Sequence, residues 1–289
     1  MVAIRAHGLT VNMDEANLHV NLPASDDPRD LGPQDAVLVT VKTHALQGVA
    51  NTIGPLLGPQ TSVVFIQNGI PWWYYHGMEG AEYNRRLPQL DPGDALWNAI
   101  GPQRVIGAIA SSACTLSEPG IVQVRGGSLP IVLGEPSGAL SPRVAALAAI
   151  LEKAKQPIQL SERILDRIWM KLALNLSSGP LSVLTPIPLR DINAVPAFFD
   201  ARHRILDEVA TIAASMGCVI QVDHGMKFAS TSQHIPSIGQ DMLAGRKLEI
   251  DSMFLTPLQM ARENGVSTPI LSLLTALAIA KAQVAGLYP

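Results

Sequence analysis

Residues 35–69 read DAVLVTVKTHALQGVANTIGPLLGPQTSVVFIQNG, and their pattern decides the fold. The opening run, Asp35–Lys42, is nearly continuous in Val and Leu with no polar alternation, which predicts a strand buried on both faces. Ala45–Leu57 has helical spacing, and Ser62–Gly69 is a second buried-strand candidate. Strand, helix and strand within about 35 residues form a βαβ unit, so the sheet is predicted to be parallel.

Working outward, Ala3–Pro23 holds two short alternating runs, AIRAHGLTV and LHVNLP, around the polar stretch Asn12–Asn17; this pattern predicts a β-hairpin. From Arg104 the runs VIGAIASSACTL, IVQVRGG and LPIVLGE, broken by Gly, Pro and Ser, predict an antiparallel or mixed meander that finishes the sheet. Ser141–Lys155 is an amphipathic helix with a Ser-Pro start, and PIQLSE is a last short strand. Beyond it, residues 162–179, 196–217, 236–264 and 268–285 all favour the 3.6-residue period, with breaks at Pro and Gly. The expected architecture is α/β: a Rossmann-like domain over 1–160 with a mainly parallel sheet, then an all-helical domain over 161–289. A cleft between two such domains is where small-molecule sites sit.

Composition bounds the function. Lys and Arg number 21 against 24 Asp and Glu, giving a net charge of −3, so bulk charge offers no nucleic-acid-binding surface. The two cysteines, Cys114 and Cys218, can build neither a disulfide framework nor a Cys-rich zinc site, which fits a reducing cytoplasm. The start lacks the apolar core of a signal peptide, and no apolar run reads as a membrane span. The seven histidines, His224 among them, show no HxxxH or HExxH spacing, so no metal is expected. No GxSxG elbow supports acyl transfer.

The motifs are individually bland. None of the 23 glycines forms GxGxxG, the turn a dinucleotide-binding βαβ unit opens with. Lys42 ends one buried strand and Asn68 the next, and open α/β sheets bind ligands at such carboxyl ends. Either residue could equally be a solvated strand end or an ordinary turn. PWWYY (Pro71–Tyr75) is a loop packed on the cleft or a local aromatic cluster. In RIWMKLALNLSSGPL, Lys171 and Asn175 share one helix face beside apolar Ile168, Leu172 and Leu176. Partial desolvation there would lower the Lys171 pKa toward the range of a working acid, whereas a lysine snorkelling to water would keep its ordinary value. Ser237 and Glu249, twelve residues apart, would lie on one side of a continuous helix, a continuity that Gly245 leaves open.

Taken together, VK at one strand end, QNG at the next, W-x-K-L-x-x-N opening the helical domain and S-x-x-x-D followed by K-L-E-I-D resemble the ketopantoate reductase family in order and spacing over nearly the whole chain. The resemblance implies a Rossmann domain joined to a helical one, with NADPH and a 2-oxoacid in the cleft. It implies Lys171 as proton donor; Asn68 as a contact of both cofactor and substrate; Asn175 and Ser237 as substrate contacts; Glu249, Lys42 and Ala113 on the cofactor side. Hydride transfer to a ketone with Lys171 protonating the developing alkoxide would follow. The family's further substrate asparagines are replaced by Gly179 and Leu189, which thins a pocket for a hydroxylated acid. Members of the family begin roughly 30 residues earlier, with the GxGxxG strand and helix. A start set too late, a truncation and a degenerate copy all remain open, and weak pyrophosphate binding is expected. A non-catalytic relative that binds ligand or assembles, and a reductase of another ketone, are the competing readings; a homodimer is left open.

Overall fold

The computed structural model describes residues 1–14, 17–126, 129–222 and 233–289. Of the sequence readings, Glu15 and Ala16 in the expected hairpin turn, Gly127 at the end of IVQVRGG, and His224 lie outside the described residues.

The chain opens with helix α1 (Val2–His7), strands β1 (Leu9–Asn12) and β2 (Asn17–Val20), strand β3 (Gln34–Val39), helix α2 (Leu46–Thr52) and strand β4 (Leu57–Ile66). Helix α3 (Ala95–Ala99), strands β5 (Val105–Ile109), β6 (Ala113–Glu118), β7 (Ile121–Arg125) and β8 (Ile131–Gly134), helix α4 (Pro142–Lys153) and strand β9 (Ile158–Leu160) complete the α/β part. The βαβ unit forms as the sequence predicts: β3, β4 and β5 are parallel neighbours in a sheet of order β3-β4-β5-β8-β9. On β4, Val63 and Phe65 enter one apolar layer with Trp72, Val105 and Ile168, while Val64 enters the other with Ile106, Leu133 and Leu147 of α4. This alternation is what burial on both faces means for a continuous Val/Ile run. Ser141 caps α4, its hydroxyl accepting from the Val144 amide.

Four expectations are corrected here. β3 is an edge strand paired only with β4, and its Leu38 is 43% exposed, so it is not buried on both faces. The segment AIRAH lies in helix α1 rather than a strand, because the six-residue run VAIRAH fits either period; the hairpin is the shorter antiparallel pair of β1 and β2. The runs after Arg104 do not form one meander. β5 and β8 join the main sheet, and β6 and β7 pair with the N-terminal strands in a second sheet of order β2-β1-β7-β6.

The helical part comprises α5 (Ile164–Leu184), α6 (Leu189–Ala194), α7 (Pro196–Ser215), α8 (Ser237–Leu243), α9 (Thr256–Glu263) and α10 (Pro269–Val284). α5 continues past the expected end at 179, through Pro180, because its last turns are buried from Leu176 to Val183 and packing outweighs the lost hydrogen bond. The fourth correction concerns 236–264: Gly245 (φ +63°) ends that helical run, which resumes as a π-helical turn over Asp251–Leu255 leading into α9. PWWYY proves a packed element. Trp72 and Trp73 belong to the sheet core, Tyr74 and Tyr75 to the helical core, and Trp169 Nε1 donates to Tyr74 Oη at 2.8 Å. Among the described residues no helix is long and apolar enough to cross a membrane.

Candidate active site

The carboxyl ends of β4 and β5 stop opposite α5, and between them lies a cavity of about 530 Å³. Its walls bring together five residues singled out in the sequence: Asn68, Ala113, Lys171, Asn175 and Ser237. Asn68 follows β4, Ala113 begins β6, Lys171 and Asn175 stand four apart on α5, and Ser237 opens α8. Gly179 and Leu189 line the same cavity.

Lys171 on α5 is tethered to the residue that follows β5, its Nζ donating to the Ala110 carbonyl oxygen at 2.5 Å. Burial drives its pKa down from 10.5 to about 8, a fall partly opposed by the negative charge of Glu249. Desolvation disfavours the ammonium form, so this lysine releases a proton more readily than a surface one. It is the group in the cavity best matched to acid catalysis near neutral pH.

The turn that presents Asn68 is fixed by close backbone approach. Gly69 has φ +82°, and a Cβ there would stand 2.5 Å from the Ser252 carbonyl oxygen, so only glycine fits. The Ile70 amide donates to that same oxygen at 2.9 Å, seating the QNG turn on the π-helical turn of the helical domain. Such turns often occur at functional sites.

Lys42 and Glu249 are not among the residues lining the cavity with Lys171. Lys42 is ion-paired with Asp241, and its Nζ is 3.8 Å from Glu249 Oε2. Glu249 is buried, accepts from the Thr43 amide at 2.9 Å, and borders a neighbouring pocket with His44, Gln47 and Trp72. These contacts bind the end of β3 to the helical domain.

Sequence reasoning missed Arg202, Ser111 and Ser112, which also line the cavity. Arg202, on α7, is 3% exposed and donates to Asn193 Oδ1. The signal was its spacing: with Ile205, Leu206 and Val209 it falls at i, i+3, i+4 and i+7, the buried stripe of a helix and an unusual place for a guanidinium.

Comparison with known proteins supplies an independent line. Residues 1–138 match the family model described as "Ketopantoate reductase PanE/ApbA", and residues 163–282 its C-terminal model. A 2-dehydropantoate 2-reductase from Mesorhizobium japonicum is 37% identical over 289 residues, an alignment covering 99% of this chain and 88% of the relative. A solved structure from Ralstonia solanacearum MolK2, described as a candidate ketopantoate reductase, superposes with TM-score 0.90 at 34% identity, covering 99% of this chain and 88% of that one. D-mandelate dehydrogenase, solved with NADH and anilino(oxo)acetate, shares the fold at TM-score 0.79 and 20% identity, covering 99% of this chain and 88% of that one.

Proposed function

The chain belongs to the ketopantoate reductase family, and on that premise we propose that it reduces a 2-oxoacid of the 2-dehydropantoate kind to the 2-hydroxyacid, using a nicotinamide cofactor, NADPH, in the cleft between 1–160 and 161–289. The observation that carries this reading is Lys171: half-buried in the cavity, tethered to the end of β5, and with its pKa brought down to about 8. The Mesorhizobium relative is named for this reaction, and the mandelate dehydrogenase of the same fold was solved with NADH and anilino(oxo)acetate.

The residues at the cavity mouth fit the nicotinamide end of the cofactor. The Asn68 amide and the hydroxyls of Ser111 and Ser112 offer both donors and acceptors there, and Ala113 leaves room beside them. Lys42 and Glu249 would act on the cofactor side, and Asn175 and Ser237 on the substrate. The nicotinamide supplies the hydride. Lys171, protonated and close to neutrality in pKa, gives its proton to the oxygen on which negative charge develops, and the Glu249 charge keeps that proton in place until then.

Steady-state reduction by wild type, Lys171→Ala and Lys171→Arg, with melting temperatures alongside, tests the assignment. Lys171→Ala should lower kcat by roughly 100-fold or more with the fold intact. Lys171→Arg should also be poor, because a guanidinium holds its proton to a pH above about 12. Near-normal kcat in both variants would remove Lys171 from the mechanism.

A further inference from the structure

The described lining of the cavity carries two cations, Lys171 and Arg202, and no carboxylate. Their separation follows from the helices that hold them. α5 and α7 pack side by side, and Arg163 at the start of α5 donates to the carbonyl of Gly217 just past the end of α7 at 3.1 Å, so the two helices run antiparallel. Fifteen residues along each helix from that contact lie Ser178 on α5 and Arg202 on α7, which places Arg202 level with Ser178 and seven residues beyond Lys171. Seven residues span about 10 Å of helix axis. Helical side chains lean toward their own N-terminus, so in this antiparallel pair the two cationic groups lean apart. Lys171 points to the sheet end of the cavity, where it meets Ala110, and Arg202 to the end closed by Gly179 and Leu189.

A 2-oxoacid's own carboxylate is bonded directly to the ketone carbon, too near the oxygen served by Lys171 to reach Arg202 as well. We propose that Arg202 is a specificity residue for a second carboxylate, so that the preferred substrate is a 2-oxodicarboxylate. This rests on the reductase reading above and narrows its substrate class. The outward lean of both side chains adds to the offset of about 10 Å between their backbones, so a carboxylate on Arg202 stands well beyond the keto group, at the far end of an extended chain. A guanidinium fork matches a carboxylate in two parallel hydrogen bonds. Desolvation lowers the Arg202 pKa to about 10, and the group is still charged at neutral pH. Gly179 and Leu189 add no competing polar group at that end.

The test is a kinetic panel of 2-oxomonoacids and 2-oxodiacids of about four to eight carbons with wild type, Arg202→Gln and Arg202→Lys, each protein also titrated calorimetrically with glutarate, which cannot be reduced. Wild type should favour its best diacid over the monoacid of equal length by about tenfold or more in kcat/KM. Arg202→Gln should raise the diacid KM roughly 10- to 100-fold, at least about tenfold more than it changes the monoacid KM, and Arg202→Lys should restore part of the loss. Equal or better use of monoacids by wild type, or equal losses for both substrate classes in Arg202→Gln, overturns the proposal. If Arg202→Gln fails to fold, the wild-type preference and Arg202→Lys still decide. Glutarate binding that depends on Arg202, in a protein that reduces no 2-oxoacid, would support this site and refute the reductase reading. Glutarate that fails to bind wild type refutes the site whatever the turnover.

Discussion

The stretches 162–179 and 236–264 carry the same helical period, yet one folds as an unbroken rod and the other as three short pieces. α5 keeps its register through Gly179 and Pro180 because its second half is enclosed by α7, α8 and α10. Its chemistry therefore stays in register: Lys171, Asn175 and Gly179, four residues apart, all face one cavity. The 236–264 stretch breaks at exposed Gly245 and turns again through the π-helical residues, so Ser237 reaches that cavity while Glu249 is carried to the Lys42 contact and a neighbouring pocket. Periodicity reports which side of a segment is apolar. Continuity depends on what encloses it.

The largest effect that would sharpen this contrast belongs to α5. If Lys171 donates the proton, reduction should fall by about tenfold per pH unit above a limb near pH 8, since the ammonium form is lost there, and Lys171→Arg should abolish that limb. The sign for stability is opposite. Between about 8 and 10.5 the unfolded lysine binds more proton than the folded one, so the native state gains stability as pH rises through that window. A pH–rate profile with no limb between 7 and 10 breaks the assignment.

On the interrupted segment the effects are smaller and structural. Glu249→Ala leaves the Thr43 amide without its acceptor and should cost about 1–3 kcal/mol in urea denaturation, with Glu249→Gln recovering much of it through the same hydrogen bond. A loss no larger for Ala than for Gln would show that Glu249 does not anchor β3. Smallest is Gly245→Ala. No atom stands within 4 Å of its missing Cβ, so only the left-handed backbone resists, at about 1–2 kcal/mol, and Gly245→Asn should cost less. Equal stability of all three proteins would mean the break does not depend on that backbone conformation.

Much of the site was legible because it lies on local patterns. Lys171 and Asn175 were paired by helix spacing, and Asn68 by the QNG that ends a Val/Ile strand. Arg202 escaped because its helix reads as amphipathic with or without it; only the antiparallel seating of α7 on α5 turns a buried-stripe arginine into a cavity wall. The pairing of β6 and β7 with the N-terminal hairpin escaped for a related reason, since strand partners more than a hundred residues apart leave no local signature.

The amino-acid sequence by itself determined the parallel βαβ unit, the amphipathic helices, and the family to which the chain belongs. These follow from side-chain period and residue order, both written along the chain. Tertiary structure alone decided that β3 is an edge, that Pro180 does not end α5, that Lys42 pairs with Asp241, and that burial brings the Lys171 pKa to about 8. Each of those depends on which surfaces are removed from water by distant segments, and desolvation is a property of the assembled fold rather than of any stretch of sequence.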